Sequence, residues 1–233
     1  MLNSLPLYLN GVWVTVQITV AGAALALALS FAAGLLGSAR RRWIRAIGRV
    51  YTEFFRGVAA LVLMYWLFYA LPYVGFRLDP MFAAILALGL NVGAYGGEVV
   101  RGAVNAVPRA QIEATTALNM GYVQRMRLVV IPQAWAAMLP PMGNLLIELM
   151  KGSAVVGLIT VSDLTFVVRQ QWSSGGDTLV VWGLALLFYF LIAQALLLGV
   201  RYLERRANAR LGRGPAFRAA PEPAAASAGG SGR

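Results

Sequence analysis

Long apolar segments alternate with short polar ones along this chain. Five apolar segments are predicted to be helical membrane spans, since about 20 helical residues cross a hydrocarbon core of about 30 Å. The predicted spans are residues 11–37, 57–71, 81–100, 134–150 and 178–200. The pattern therefore predicts an all-α membrane protein with about five transmembrane helices.

Residues 152–168 fit this alternation less well than the other apolar segments. They are apolar but few, and they include Asp163. A separate span here would put the arginine-rich C-terminal segment outside the cell. We therefore interpret 152–168 as a continuation of the fourth span or a re-entrant piece near the outer surface.

The third predicted span has two contrasting faces. Gly89, Gly93 and Gly97 recur every four residues, which favours close helix packing. Asn91, Tyr95 and Glu98 lie roughly 165° away around the helix. Polar side chains inside a membrane usually face a bundle interior or a pathway. We expect Asn91 to line such a path, and Glu98 to pair with Arg101 one turn further on.

The fourth predicted span carries a second polar stripe. Asn144, Glu148 and Lys151 follow one another at helical spacing. Glu148 and Lys151 are placed either to form a salt bridge with each other or to contact a solute. Asn91 and Asn144 both fall about 15 Å along their spans, near the midplane. The predicted substrate path is therefore formed by Asn91, Tyr95, Asn144, Glu148 and Lys151.

A polar loop, residues 101–133, separates these two spans. The sequence predicts a short helix from Pro108 to Leu118, ended by Asn119, because asparagine tolerates the left-handed conformation. A second helix would begin at Gly121 and stop at Pro132. Two short helices at an angle form a knob, residues 113–132, that another protein could grip. An ordinary cytoplasmic loop is the alternative.

Composition supports the membrane interpretation. Hydrophobic residues make up 59% of the chain and charged residues 12%, against about 25% charged residues in soluble domains. The net charge is +11, but the basic residues flank apolar segments, which favours positive-inside anchoring over nucleic-acid binding.

The basic residues also predict the orientation in the membrane. Segments 38–56, 101–133 and 201–233 hold six, four and seven of the 20 basic residues, so we place them in the cytoplasm. The N-terminus is then outside and the C-terminus inside. Residues 207–233 are rich in alanine, glycine, proline and serine, and are predicted to be a disordered cytoplasmic tail.

Missing residue types limit the possible chemistry. The chain has no cysteine and no histidine, so thiolate and imidazole metal ligands and histidine bases are excluded. We predict no catalytic residue and no metal site. A phosphate-binding G-x-x-x-x-G-K-[ST] sequence is also missing, so another chain must bind any ATP.

Two other functional classes stay open. An intramembrane enzyme would use Glu98, Glu148 and Asp163 as acid–base carboxylates, although the lack of histidine and cysteine counts against it. A non-transporting scaffold or receptor subunit would signal through the loop.

The knob resembles the EAA loop of permease subunits of ATP-binding-cassette (ABC) importers. That motif reads E-A-A, three residues, G, nine residues, I-x-L-P, and the spacing from Glu113 to Pro132 matches it. The chain departs from it with Thr115 for alanine, Asn119 for glycine, and Val129 and Ile131 for isoleucine and leucine. The resemblance implies a coupling helix that docks in a groove of an ATPase subunit. Its residues would include Glu113, Ala114, Thr115, Asn119, Gly121 and Pro132.

The resemblance to polar-amino-acid permeases extends from Leu9 to Arg206. It implies a type I ABC importer permease-like bundle, residues 1–206, with a cytoplasmic coupling-helix loop, in the bacterial cytoplasmic (inner) membrane. The implied partners are two ATPase subunits, a second permease chain of the same or a similar kind, and an extracytoplasmic solute-binding protein. ATP and Mg²⁺ would be bound by the ATPase, with no cofactor in this chain.

Residues 143–152 and 158–166 most resemble permeases of ectoine and hydroxyectoine uptake. The resemblance implies a small zwitterionic solute, which a balanced Glu148 and Lys151 pair would suit. A polar amino acid such as glutamine, glutamate or arginine is the alternative, because amino acids are zwitterions too. Residues 58–63 depart from the Thr-Pro-Leu-Leu-Val-Gln of most amino-acid permeases and read Val-Ala-Ala-Leu-Val-Leu.

Overall fold

The computed structural model describes residues 5–39 and 41–210. Within that part the regular structure is entirely helical, which confirms the all-α prediction. The α-helices are α1 Leu5–Gly37, α2 Arg42–Gly57, α3 Ala60–Tyr65, α4 Pro80–Asn105, α5 Arg109–Ala117, α6 Tyr122–Arg125, α7 Ile131–Gly152, α8 Leu164–Ser173 and α9 Thr178–Arg210. The π-helical segments are Trp66–Ala70 and Met126–Val130, and the 3-10 segments are Leu71–Val74 and Ser153–Ile159.

Four helical stretches of the described chain are long and apolar enough to cross a membrane. They are Leu5–Gly37, Pro80–Asn105, Tyr122–Ile159 and Thr178–Ala209. A fifth is formed if Arg42–Gly57 and Ala60–Val74, which meet at an angle of 96°, are taken as one broken span. The number of candidate spans agrees with the prediction of about five.

The closest packing in the bundle is between α1 and α4. A Cβ atom added to Gly89, Gly93 or Gly97 would lie within 2.6, 2.9 and 3.0 Å, respectively, of side chains on α1. Backbones can approach this closely only where one side has no side chain. The predicted close-packed face is therefore confirmed.

The helix predicted over 57–71 is not straight. Its α-helical part begins only after an extended break at Val58 and Ala59, where ψ is 130° and 132°. The segment before the break, predicted to lie in the cytoplasm, forms α2, which packs on α1 and α4. The break is stabilised by Asn91 of α4, whose side chain donates to the Phe55 and Val58 carbonyls.

The prediction that the second loop helix stops at Pro132 is wrong. The chain runs from α6 through the π-helical segment Met126–Val130 directly into α7. In the wider turn the Ile131 N–H donates to the Met126 carbonyl, five residues back. Pro132 then lies in the first turn of α7, where the proline ring and its missing N–H are tolerated.

Residues 152–168 first continue the fourth span and then turn back. The 3-10 segment Ser153–Ile159 extends α7, Thr160 takes a left-handed conformation with φ 70°, and α8 starts after Asp163. The start of α8 contacts α1, where the Leu164 N–H donates to Thr15 Oγ1 at 3.2 Å.

The last helix is longer than the fifth predicted span. α9 continues to Arg210, so the first four residues of the predicted tail 207–233 are helical. The rest of that tail, residues 211–233, lies outside the described residues.

Candidate functional site

The turn at the centre of the knob has the geometry that the sequence predicts. Asn119 has φ 54°, the left-handed conformation expected after a helix end. The Met120 N–H donates to the Thr115 carbonyl and the Asn119 N–H to the Thr116 carbonyl, each at 3.0 Å. This pair of hydrogen bonds is the Schellman motif, and it satisfies carbonyls that the helix end would otherwise leave free.

The two knob helices also start close to their predicted positions. Pro108 precedes α5 rather than opening it, so the helix begins one residue later than predicted. Gly121 precedes α6, and its N–H donates to Gln124 Oε1 at 3.2 Å. The knob is therefore two short helices joined by a defined turn.

Departures from the EAA motif are accommodated without strain. Thr115, in place of the second alanine, is buried, and its hydroxyl donates to the Ile112 carbonyl at 2.7 Å. Glu113 and Ala114 are exposed on the same helix. The hydroxyl that alanine lacks is thus hydrogen-bonded, and the outer face of α5 stays free for contact.

Large apolar side chains cover the outer surface of the knob. Leu118 is 72% exposed, Val123 73% and Leu128 62%, and Tyr122 is also exposed. We call these four residues the apolar cap. A cluster of exposed apolar side chains in a polar loop is typical of a protein–protein contact surface.

The C-terminal part of the knob packs on the two helices that carry the polar stripes. The buried cluster beneath it consists of Val100, Val104, Val107, Val130, Ala134 and Met138. These side chains join the end of α4 to the start of α7. A displacement of the knob would therefore move both helices together.

The polar stripe of α4 contacts the break between α2 and α3. Asn91 Nδ2 donates to the Phe55 carbonyl at 2.8 Å and to the Val58 carbonyl at 3.0 Å, and the residue is 9% exposed. The Tyr95 hydroxyl donates to the Arg56 carbonyl at 3.4 Å. Both hydrogens of the Asn91 amide are thus donated within the chain, to carbonyls at the C-terminal end of α2 that lack helical N–H partners. Its role in a substrate path stays a prediction.

Glu98 and Arg101 form the expected ion pair at the end of α4. Arg101 Nε donates to Glu98 Oε1 at 3.2 Å, and a second contact joins Arg101 Nη2 to Glu98 Oε2. The predicted pairing of Glu98 with Arg101 is therefore confirmed.

The polar stripe of α7 lies on a face that the rest of the chain leaves open. Asn144, Glu148 and Lys151 are all exposed. Glu148 and Lys151 form no ion pair with each other in the described structure, so the salt-bridge alternative is wrong. The two asparagines predicted to line one path differ in burial, because Asn91 packs against α2 while Asn144 is exposed.

Asp163, at the start of α8, belongs to a polar cluster that the sequence analysis did not predict. Asp163 is fully buried and accepts from the Thr165 and Phe166 N–H groups and from the Tyr189 hydroxyl. Burial of a carboxyl group is costly, and these hydrogen bonds offset part of that cost. The position just before an apolar helical run is the signal for such a cap.

The carboxylates offered for an intramembrane enzyme do not form one site. Glu98 is paired with Arg101, Glu148 is exposed on α7, and Asp163 is a buried helix cap. The described residues also contain no group of three or more acidic side chains that could hold a metal ion. The described structure therefore does not support an intramembrane enzyme that uses these three carboxylates together.

The described part of the chain is thus a bundle of apolar helices that exposes a polar loop with an apolar cap. Residues 24–209 match the family of the binding-protein-dependent transport system inner membrane component. The chain belongs to this family.

Relatives specify the branch of the family. The chain is 41% identical over 201 residues to a probable amino-acid ABC transporter permease, y4tF, of Sinorhizobium fredii, covering 84% of each chain. It is 31% identical to the glutamine transport system permease GlnP of Escherichia coli K12, covering 87% of this chain and 94% of that one. It is therefore a permease subunit of the polar-amino-acid type of ABC transporter.

A solved structure supports the fold. The chain superposes with a TM-score of 0.81 on a chain from the crystal structure of an amino acid ABC transporter with histidines. The two are 28% identical, and the match covers 88% of this chain and 96% of that one. The fold is thus that of a type I ABC importer permease. Its relatives are permease subunits, and the family implies a separate ATPase and a solute-binding protein.

Proposed function

We propose that this permease moves a polar, zwitterionic amino acid or a close derivative across the inner membrane when ATP is hydrolysed by partner subunits. The observation that carries the proposal is the anchored knob, which exposes an apolar cap and is joined by a buried cluster to both stripe-bearing helices. The ATPase subunits, two per complex, bind ATP and Mg²⁺. This chain contributes the translocation path.

The knob is the contact with the ATPase. Glu113, Ala114, Thr115, Asn119, Gly121 and Pro132 form the motif that resembles the coupling loop. Burial of Leu118, Tyr122 and Val123 in a groove of the ATPase would remove exposed apolar surface from water, which favours docking. Closure of two ATPases then pulls the knob and tilts α4 and α7.

The open stripe of α7 supports a role in the path. A charged side chain in a spanning helix is costly in contact with lipid, so Glu148 and Lys151 face another protein surface or an aqueous path. A second permease chain, of the same or a similar kind, provides that surface. Asn144, Glu148 and Lys151 then line the path. The Glu148 carboxylate can accept hydrogen bonds from the ammonium group of a zwitterion, and the Lys151 ammonium can donate to its carboxylate. Asn91 and Tyr95 border it from the α2–α3 break.

We infer that the solute belongs to the amino-acid class, which the names of the relatives support. The names of relatives specify glutamine for proteins of Bacillus subtilis and E. coli, and L-cystine for another of B. subtilis. Unpaired Glu148 and Lys151 suit the ammonium and carboxylate of such a solute. Ectoine or hydroxyectoine is the second candidate, favoured by residues 143–152 and 158–166, which resemble permeases for those solutes.

The orientation follows from charge. The basic segments lie in the cytoplasm together with the knob, the N-terminus is outside, and the solute-binding protein delivers solute at the outer face.

Competition during uptake tests the solute. Cells that carry this permease with its ATPase and binding protein would take up labelled glutamine, and unlabelled glutamate, arginine, ectoine and hydroxyectoine would be added as competitors. We expect uptake that an amino acid blocks. Uptake blocked only by ectoine and hydroxyectoine would replace the amino acid with the second candidate. Partner binding without any solute flux would support the scaffold alternative instead.

A further inference from the structure

Helix α2 has three faces, of which the chain covers only one. Gly48 and Thr52 are buried against α1 and α4. At 100° per residue, the first of the two other faces lies roughly 75° from the buried face, and the second lies roughly 150° from it on the opposite side. The first is basic and consists of Arg42, Arg45 and Arg49. The second is apolar and exposed, and consists of Trp43, Ile47, Val50 and Phe54.

The basic face lines an open recess. The open space of about 480 Å³ is bordered on the side of α2 alone, by Arg42, Arg45 and Arg49 together with Ala46, Val50 and Glu53. Arg45 Nε donates to the Ala39 carbonyl at 3.2 Å. None of the three guanidinium groups forms a salt bridge with a carboxylate in the described part of the chain. Glu53 is the one acidic residue in the lining, so the recess keeps a positive charge.

The recess lies at the end of the first span. A Cβ atom on Gly48 would be 2.9 Å from the Gly37 backbone nitrogen, so the middle of α2 rests against the last residue of α1. A spanning helix ends near the lipid headgroups. The recess is thus placed at headgroup depth, and Trp43 is in the position that tryptophan favours at membrane interfaces.

We propose that this recess binds the phosphate of an anionic phospholipid, whose acyl chains cover the apolar face of α2. Guanidinium groups match phosphate oxygens in charge and geometry. The arginines and Trp43 lie toward the start of α2, whereas its end contacts Asn91 through the Phe55 carbonyl, so the apolar face extends from the headgroups toward the acyl chains. A soluble phosphate would meet the arginines but leave the four apolar side chains uncovered, so the lipid is the occupant that matches both faces.

Native mass spectrometry of the purified full-length chain, released from a neutral detergent, tests the proposal. The probes are phosphatidylglycerol and phosphatidylcholine with identical acyl chains. The test variant is Arg42→Gln/Arg45→Gln/Arg49→Gln. We expect preferential retention of phosphatidylglycerol by the wild type. Each arginine removed should weaken that binding roughly fivefold, and all three should weaken it roughly a hundredfold.

A matched control removes the same charge elsewhere. The variant Arg201→Gln/Arg205→Gln/Arg206→Gln changes three exposed arginines of α9 and should keep wild-type retention. The variant in which residues 42, 45 and 49 are lysine should keep most of the binding, since lysine still meets phosphate as a point charge.

Several results would overturn the proposal. These are equal retention of the two lipids, an equal loss in the α9 control, or retention unchanged by the glutamine variant. Displacement of the lipid by glycerol 3-phosphate at an equal concentration would assign the recess to a soluble phosphate. If the triple variant aggregates, the single variant Arg42→Gln is measured instead. A fivefold weaker binding of phosphatidylglycerol supports the lipid site, and unchanged binding refutes it.

Discussion

Asn91→Leu separates a structural role for this side chain from a role in the substrate path. The substitution keeps the size but removes two hydrogen bonds, to the Phe55 and Val58 carbonyls. Each bond contributes about 1 kcal/mol net, and a buried carbonyl left without a partner costs about 1–3 kcal/mol. The expected loss of folding free energy is therefore about 2–4 kcal/mol. For a chain of this size that lowers the melting temperature by about 4–16 °C.

Asn144→Leu is the matched control, because it makes the same change at a similar predicted depth on an exposed face. It should leave the melting temperature nearly unchanged, as exposed substitutions usually do, and raise the KM for uptake. The assays are thermal unfolding of the purified chain in detergent and uptake by the reconstituted complex.

The two readouts separate the roles. Asn91→Leu should reduce the amount of stable complex while the KM of the surviving complex stays near the wild-type value. An Asn91→Leu protein with an unchanged melting temperature and a raised KM would contradict the structural role of Asn91 at the α2–α3 break and would indicate direct contact with the solute.

Three further predictions concern packing, coupling and capping. Gly34→Ala would place a Cβ atom 2.5 Å from Val100 Cβ and should be about 1–3 kcal/mol less stable than Gly102→Ala, which has open space; equal unfolding temperatures would contradict this. Glu113→Arg should abolish ATP-coupled uptake but not membrane insertion, whereas Gln111→Arg on the same helix should retain uptake; normal uptake by Glu113→Arg removes it from the docking surface. Asp163→Ala should destabilise the chain by about 1–2 kcal/mol through loss of the α8 cap, measured by thermal unfolding, and wild-type stability would argue against that cap.

The sequence pattern predicted correctly the structural features that depend only on residues close together in the chain. Asn119 follows the end of α5 with a φ of 54°, a conformation that few residues other than glycine and asparagine tolerate. Its position after a helical run predicted this helix end. The glycines of α4 and the Glu98 and Arg101 pair were likewise predictable from helical spacing alone. All of these interactions are set within one or two helical turns.

The features that were missed depend on contacts far along the chain. Residues 58–63 have no proline, so nothing in this segment predicts a break within 57–71. The break is held by Asn91, more than 30 residues away along the chain. Pro132 stops a regular helix but not one with a π-helical turn before it. The Tyr189 contact to Asp163 similarly joins two helices that only the tertiary fold brings together.

Coupled transport is the central claim, and flux measured against ATP hydrolysis tests it most directly. The permease, its ATPase and its solute-binding protein would be reconstituted in liposomes, with ATP on the ATPase side and labelled solute with the binding protein on the other. We predict accumulation that requires ATP hydrolysis and that disappears in the Glu113→Arg complex. Accumulation without ATP, or ATP hydrolysis stimulated by the binding protein with no solute movement, would contradict the account.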